Sequence, residues 1–258
     1  MMGSTKVTRS QRKATATADP LLPTTSVQGK SRRCGACGRL ILFLIPILAC
    51  ALILAALYLL AFIPEVVITE MSISDGLAYY DRKGVVLALN STGATLACVV
   101  CIMRNIQINV YHRRQQSESM TLKALNFLAA VSGIFSYVGF VILAVFDLDG
   151  PAEHQRIHYI GATMYFVLGG LYGLLHTYLL RKQTQYPMFC KIIFVVVSFV
   201  MITSSIIYAS NLNEYYEFEW FAVAFNAIYV GLMGLLFLVD PADDELGDFF
   251  CCRRVKAT

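Results

Sequence analysis

The chain has 258 residues, 57% of them hydrophobic and only 15% charged, with a formal net charge of +4. A water-soluble globular domain carries about 25% charged residues. Here the apolar excess is gathered into long blocks, with a mean hydropathy of +0.61 over the chain. That combination excludes a soluble domain and points to a membrane-spanning protein.

Residues 1–39 hold Ser, Thr, Pro and basic residues with little apolar content before Leu40. Such a segment cannot bury enough surface to fold, so a disordered basic tail is expected. Six blocks then meet the span requirement of about 20 apolar residues. They are Leu40–Ile63, Val85–Met103, Ala124–Phe146, Ile157–Leu180, Met188–Ala209 and Trp220–Val239. All six are expected to be helices: a bilayer offers no water to unpaired backbone groups, and the blocks lack the alternation of barrel strands. The fold class is therefore an all-α bundle of six transmembrane helices over residues 40–240. A short acidic-then-basic tail follows at 241–258.

In chain order, the first block is too long and too far from Met1 for a cleaved signal peptide and reads as a retained helix. The second is interrupted by "NSTGAT" at 90–95. Its sequon lies inside the span, so it is expected to be unmodified, with Asn90 and Thr95 packing into the bundle. The third offers Asn126, Ser132, Gly133, Ser136 and Gly139. The fourth carries a stripe at His158, Ala162, Tyr165, Gly169, Tyr172 and His176. Alternating steps of four and three put these residues on one helix face. Gly169 and Gly173 form a GxxxG pair that suits close helix approach. This stripe reads as an inward polar seam, shared with Asn90, Asn126 and, on the sixth block, Asn226. Hydrogen-bonded packing is the plainer use of such a seam; a lipid headgroup pocket or a proton relay between the two histidines is the sharper one. No acidic or basic residue sits in the middle of any block, which argues against an ion-coupled pump or voltage sensor.

Between the third and fourth blocks lies "FDLDGPAEHQRIHYIG" at 146–161, the richest polar stretch of the chain. His154 and His158 fall four residues apart and with Asp147 or Asp149 suggest a divalent-metal site. The ligand set is incomplete, so no metal is expected. Histidines beside acids also suggest a pH-responsive loop. The plainest reading is a structural cap in which "DLDGP" turns the chain and Pro151 opens the next helix.

Orientation follows from the positive charges. With the N-terminus inside, every Lys and Arg except Arg82, Lys83 and Arg156 falls on the cytoplasmic side. Both termini are therefore expected in the cytoplasm. None of the eight cysteines falls in an outer connection, so no lumenal disulfide framework is available. Cys34, Cys37, Cys251 and Cys252 lie beside basic residues at membrane ends, the setting for reversible S-palmitoylation. No constellation of catalytic residues is present, so the chain is not expected to be an enzyme or to need a cofactor.

Several motifs in order carry a resemblance: "ISDG" at 73–76, Asn90 and Arg104 on the second span, "HYIGATMYFVLGGLYGLLHTYL" at 158–179 and "FLVDPADDELGDFF" at 237–250. Over residues 40–250 the chain resembles the family of damage-regulated autophagy modulators and their fasting-inducible transmembrane relatives. The yeast suppressor of phosphatidylinositol 4-kinase and the FGF-receptor-activating protein are more distant members. Asp75, Asn90, His158 and Asp243 sit at family-like positions. Relatives often carry an acidic residue followed by an aromatic in the last span, and Asn226-Ala227 is read at that place here. The resemblance implies a non-enzymatic multi-pass protein of the plasma membrane, endosome or lysosome. Its expected role is a regulator or scaffold in autophagy, lysosomal function and cell survival. The alternative is a plasma-membrane organiser of phosphoinositide kinase signalling, or a lipid-binding bundle that affects lipid distribution. Membrane lipids and cytoplasmic proteins recruited by the tails are the expected partners, and nucleic acid is not.

Overall fold

Each apolar block forms one long helix in the computed structural model, which describes residues 28–61, 73, 83–115, 119–146, 150–210 and 216–239. The helices are α1 Gln28–Ala61, α2 Lys83–Arg114, α3 Met120–Val145, α4 Ala152–Lys182, α5 Met188–Ser210 and α6 Tyr216–Val239. All six are long and apolar enough to cross a membrane. No strand occurs among the described residues. The side chains of Cys34 and Cys37 lie outside the described residues. So do Asp75, Asp147, Asp149, Asp243, Cys251 and Cys252.

Two helices exceed their apolar blocks by more than ten residues at one end. Helix α1 begins at Gln28, inside the stretch expected to be disordered. Helix α2 runs on past Met103 to Arg114. Hydropathy marks where lipid contact ends, whereas a helix continues until the backbone is broken. No Gly or Pro lies between Ala94 and Arg114 to break it.

The helices close a ring in sequence order. Helix α1 packs on α2, α2 on α3, α3 on α4, α4 on α5 and α5 on α6, and α6 returns against α1. Helix α6 is the most buried of the six, with Val230, Met233, Leu236 and Phe237 fully enclosed. Large apolar side chains such as Phe127, Val167, Leu174 and Phe199 face outward, as a lipid-contacting surface requires.

The tightest contact joins α3 to α4. A Cβ on Gly139 would lie 2.6 Å from Met164 Cβ and 2.7 Å from the Gly161 carbonyl oxygen. One on Gly161 would lie 2.7 Å from the Leu143 backbone nitrogen. The two helices thus touch backbone to backbone. Directly after this crossing, Met164–Leu168 form a π-helical turn inside α4.

Candidate functional site

The inner register of α2 runs Val100, Arg104, Gln107 with Ile108, and Tyr111, all buried. Arg104 is 1% exposed. Its Nε donates to His176 Nε2 on α4 at 2.8 Å. Its terminal nitrogens donate to Gln107 Oε1, to Tyr186 Oη at 3.1 Å and to Gln183 Oε1 at 2.7 Å. Gln183 and Tyr186 belong to the short connection between α4 and α5 and turn inward from it, while Thr184 and Pro187 stay exposed. Tyr111 holds the same connection through the Thr184 backbone N–H at 3.2 Å. Gln107 Nε2 reaches the Leu236 carbonyl at 3.4 Å, bringing in α6. One guanidinium therefore ties α2, α4, α6 and residues 183–187 at the end of the bundle where α6 finishes.

All four acceptors of Arg104 are neutral. Burying a cation costs several kcal/mol even after relaxation. Hydrogen bonds to a charged group return about 1.5–3 kcal/mol each, so four together are of the size needed to hold it. The balance is close, and each acceptor matters.

The network continues inward with a defined polarity. Because His176 Nε2 accepts from Arg104, the proton of the neutral ring resides on Nδ1. Nδ1–H then donates to Tyr229 Oη at 2.7 Å. The Tyr229 hydroxyl has two acceptors in reach, the Gly173 carbonyl at 3.4 Å and Thr177 Oγ1 at 3.1 Å. Thr177 Oγ1 and Ser198 Oγ on α5 are 3.0 Å apart. Four of the six helices share this chain of bonds, entered at Arg104.

A second polar layer surrounds the π-helical turn. A π turn shifts backbone partners by one residue, and here the Tyr165 carbonyl accepts the Gly169 backbone N–H. Ser136 on α3 donates its hydroxyl to the Tyr165 carbonyl at 2.9 Å. Tyr137 donates to Asn226 Oδ1 at 2.5 Å, and the Tyr165 ring stacks on Phe140 at 4.7 Å. A Cβ on Gly169 would meet Ser136 Oγ at 2.9 Å and Asn226 Nδ2 at 3.1 Å. Tyr172 donates to Met233 Sδ at 3.3 Å. Gly173 faces α5, where a Cβ would meet Met201 Cε at 2.8 Å.

At the opposite end, His158 is buried with Nδ1 at 2.7 Å from the Phe146 carbonyl. His154 is exposed and its ring stands edge-on to Phe146 at 5.4 Å. Two histidines four residues apart on one helix thus occupy different surroundings. Among the described residues no group of three or more His, Cys, Asp or Glu comes together. His158 and His176 are 18 residues apart on α4, about 27 Å at 1.5 Å per residue.

Of the polar seam, Asn90, Asn126, His158, Tyr165, Gly169, Tyr172, His176 and Asn226 are all buried, while Ala162 is half-buried. Asn126 Nδ2 donates to the Asn105 carbonyl at 2.9 Å and to Asn109 Oδ1 at 3.0 Å. Asn90 Oδ1 is buried without a hydrogen-bond partner among the described residues. Thr95, expected to face inward, is instead exposed. Its hydroxyl donates to the Ser91 carbonyl of its own helix at 2.8 Å, the bond that lets a threonine face lipid at little cost.

In the sequence Arg104 counts only as one of the cytoplasmic charges that set topology, yet it is interior, as are Gln183 and Tyr186 of the connection after α4. The spacing of Val100, Arg104, Gln107 and Tyr111 at helical steps was the available signal. Glu219, at the start of α6, was also missed. It is 2% exposed and accepts from the Ile73 backbone N–H at 2.9 Å. With buried Trp220 it supplies an acidic residue followed by an aromatic within α6.

Comparison with known families places this architecture. The sequence model of the Frag1/DRAM/Sfk1/Cwh43P N-terminal domain matches residues 38–237. The chain belongs to this family. The match takes in all six helices from Gly38 to within two residues of the end of α6, so the Frag1/DRAM domain is the whole bundle, including the Arg104 hub. It is an integral, multi-pass membrane protein. Neither the curated proteins nor the solved structures compared with the chain give a match.

Proposed function

We propose that this Frag1/DRAM-family chain is a non-enzymatic regulator and scaffold acting in autophagy or lysosomal function and cell survival, with both termini in the cytoplasm. The observation that carries the reading is the Arg104 hub. The donors of a buried guanidinium are committed to structural acceptors on two helices and one connection, and the polar chain beyond it ends in hydroxyl and backbone groups. Such an arrangement fixes the geometry of one membrane face. A fixed face suits presentation of flanking tails to partners. The charge distribution supports placing that face in the cytoplasm. Acylation of Cys34, Cys37, Cys251 and Cys252 would hold the tails against the bilayer.

The test is removal of residues 1–33 and, separately, of 243–258, with localisation and co-purifying proteins compared against the full chain. Altered location or partner recovery with an intact bundle is expected. Wild-type behaviour of both truncations would contradict the scaffold role.

A second reading, a plasma-membrane organiser of phosphoinositide signalling or lipid distribution, is favoured by a different observation. A groove between α4 and α5 pairs the basic residues Arg181 and Lys191 with an apolar floor. Imaging at native expression beside plasma-membrane and lysosomal markers separates the two settings.

A further inference from the structure

We propose that the groove between the end of α4 and the start of α5 binds one anionic glycerophospholipid of the cytoplasmic leaflet. The inference rests on the lipid-binding reading above and names its site. The groove has a volume of about 430 Å³ and is lined by Arg181, Met188, Lys191, Ile192 and Val195. Its two charges are both positive, and no carboxylate lines it.

Arg181 lies in the last turn of α4 and is exposed, and its guanidinium makes no hydrogen bond among the described residues. Lys191 lies in the first turn of α5, half-buried, with Nζ 3.5 Å from the Arg181 carbonyl. The two cations therefore flank one mouth. Below them, Ile192 and Val195 step down α5 toward the middle of the span, both lipid-facing at 50% and 42% exposure. At 1.5 Å per residue, Val195 is about 6 Å deeper than Lys191.

That order, cations at the membrane boundary with an apolar slot beneath, is the order of a phosphate above its acyl chains. A free anion would have no use for the apolar floor, and a neutral lipid none for two converging cations. The start of α5 adds unpaired backbone N–H groups at the same level, which favour negative charge. Lys182, next in sequence to Arg181, points elsewhere: its Nζ lies over the Tyr178 ring at 5.5 Å from the centroid. It provides an internal control of equal charge.

The experiment uses the full chain purified in mild detergent, incubated with phosphatidylserine or phosphatidylcholine, and native mass spectrometry of the retained lipid. The wild type is expected to retain one phosphatidylserine in preference to phosphatidylcholine. Each interfacial cation is worth about a fivefold factor, so the Arg181→Gln/Lys191→Gln double variant should bind about thirtyfold more weakly. Lys182→Gln should match the wild type. Val195→Trp, which fills the slot and keeps both charges, should also lose retention. Retention by the double variant equal to wild type would overturn the site while leaving the lipid-binding reading standing. So would an equal loss in Lys182→Gln, unchanged retention in Val195→Trp, or displacement of the lipid by inorganic phosphate. Failure of the wild type to retain either lipid would remove the lipid-binding reading itself, and the site with it.

Discussion

Arg104 Nε donates to His176 Nε2 across the α2–α4 interface at 2.8 Å, with both side chains 1% exposed. The bond sets the tautomer of the imidazole, and the imidazole passes that polarity on to Tyr229. Removing the acceptor leaves a buried N–H of a charged group unpaired, which costs about 1–3 kcal/mol or more. His176→Ala should therefore lower the stability of the detergent-solubilised chain by about 2–3 kcal/mol, read by chemical denaturation. His176→Gln, which restores a carbonyl acceptor, should recover part of that loss.

Tyr229 stands one step further along. Tyr229→Phe keeps the ring contacts with Phe194 and His176 and removes only the hydroxyl that accepts from His176. A loss of about 1–2 kcal/mol is expected. Tyr178→Phe, on the exposed face of the same bundle, should change stability by less than about 0.5 kcal/mol. Equal effects of the two variants would mean that the hydroxyl network contributes nothing specific.

Helix crossing rather than hydrogen bonding governs a third prediction. Gly161→Ala places a carbon against backbone atoms of α3 that cannot rotate away. The helices must separate, at about 1–3 kcal/mol. Gly84→Ala, where a Cβ meets nothing within 4 Å, should be neutral or stabilising by about 0.5–1 kcal/mol through helix propensity. Thermal unfolding of the two purified variants side by side checks the contrast.

Ser136→Ala tests the π-helical turn. Without that hydroxyl the Tyr165 carbonyl keeps only the Gly169 backbone N–H, and a loss of about 1 kcal/mol is expected. Amide hydrogen exchange should rise most within residues 164–169, next to the widened turn. Uniform exchange changes along α4 would show that the serine does not support the turn.

Membrane orientation is open to a direct check. Thr184→Cys and Glu153→Cys place thiols at opposite ends of α4, both on exposed positions. In a background without the native cysteines, an impermeant reagent added to intact cells should label the residue at 153 and spare the one at 184. The reverse pattern would invert the proposed topology and place the lipid groove in the other leaflet.

The spans were legible because burial in lipid demands long apolar runs, and hydropathy reports that demand directly. The seam of α4 was legible because His158, Tyr165, Gly169, Tyr172 and His176 repeat at helical steps within one run. Arg104 was obscured by its sign. A count of positive charges treats every arginine near a span end alike, whereas this one turns inward because α2 continues past the apolar block. Its partners Gln183 and Tyr186 lie 79 and 82 residues away, in a connection whose composition looks like surface. Tertiary contacts at such separation leave no local pattern. Glu219 was similarly hidden at a helix start, where a carboxylate is ordinarily solvated; its backbone donor, Ile73, lies 146 residues distant.

The central claim is that the Arg104 guanidinium and His176 act as one clamp on this end of the bundle. A double-mutant cycle with Arg104→Met and His176→Leu, measured by denaturant unfolding of the full chain in detergent, tests it most directly. Residues sharing a buried hydrogen bond couple by about 0.5–3 kcal/mol; with one partner charged, a coupling of at least about 1.5 kcal/mol is predicted. Additive single effects, with coupling within about 0.3–0.5 kcal/mol of zero, would contradict the clamp.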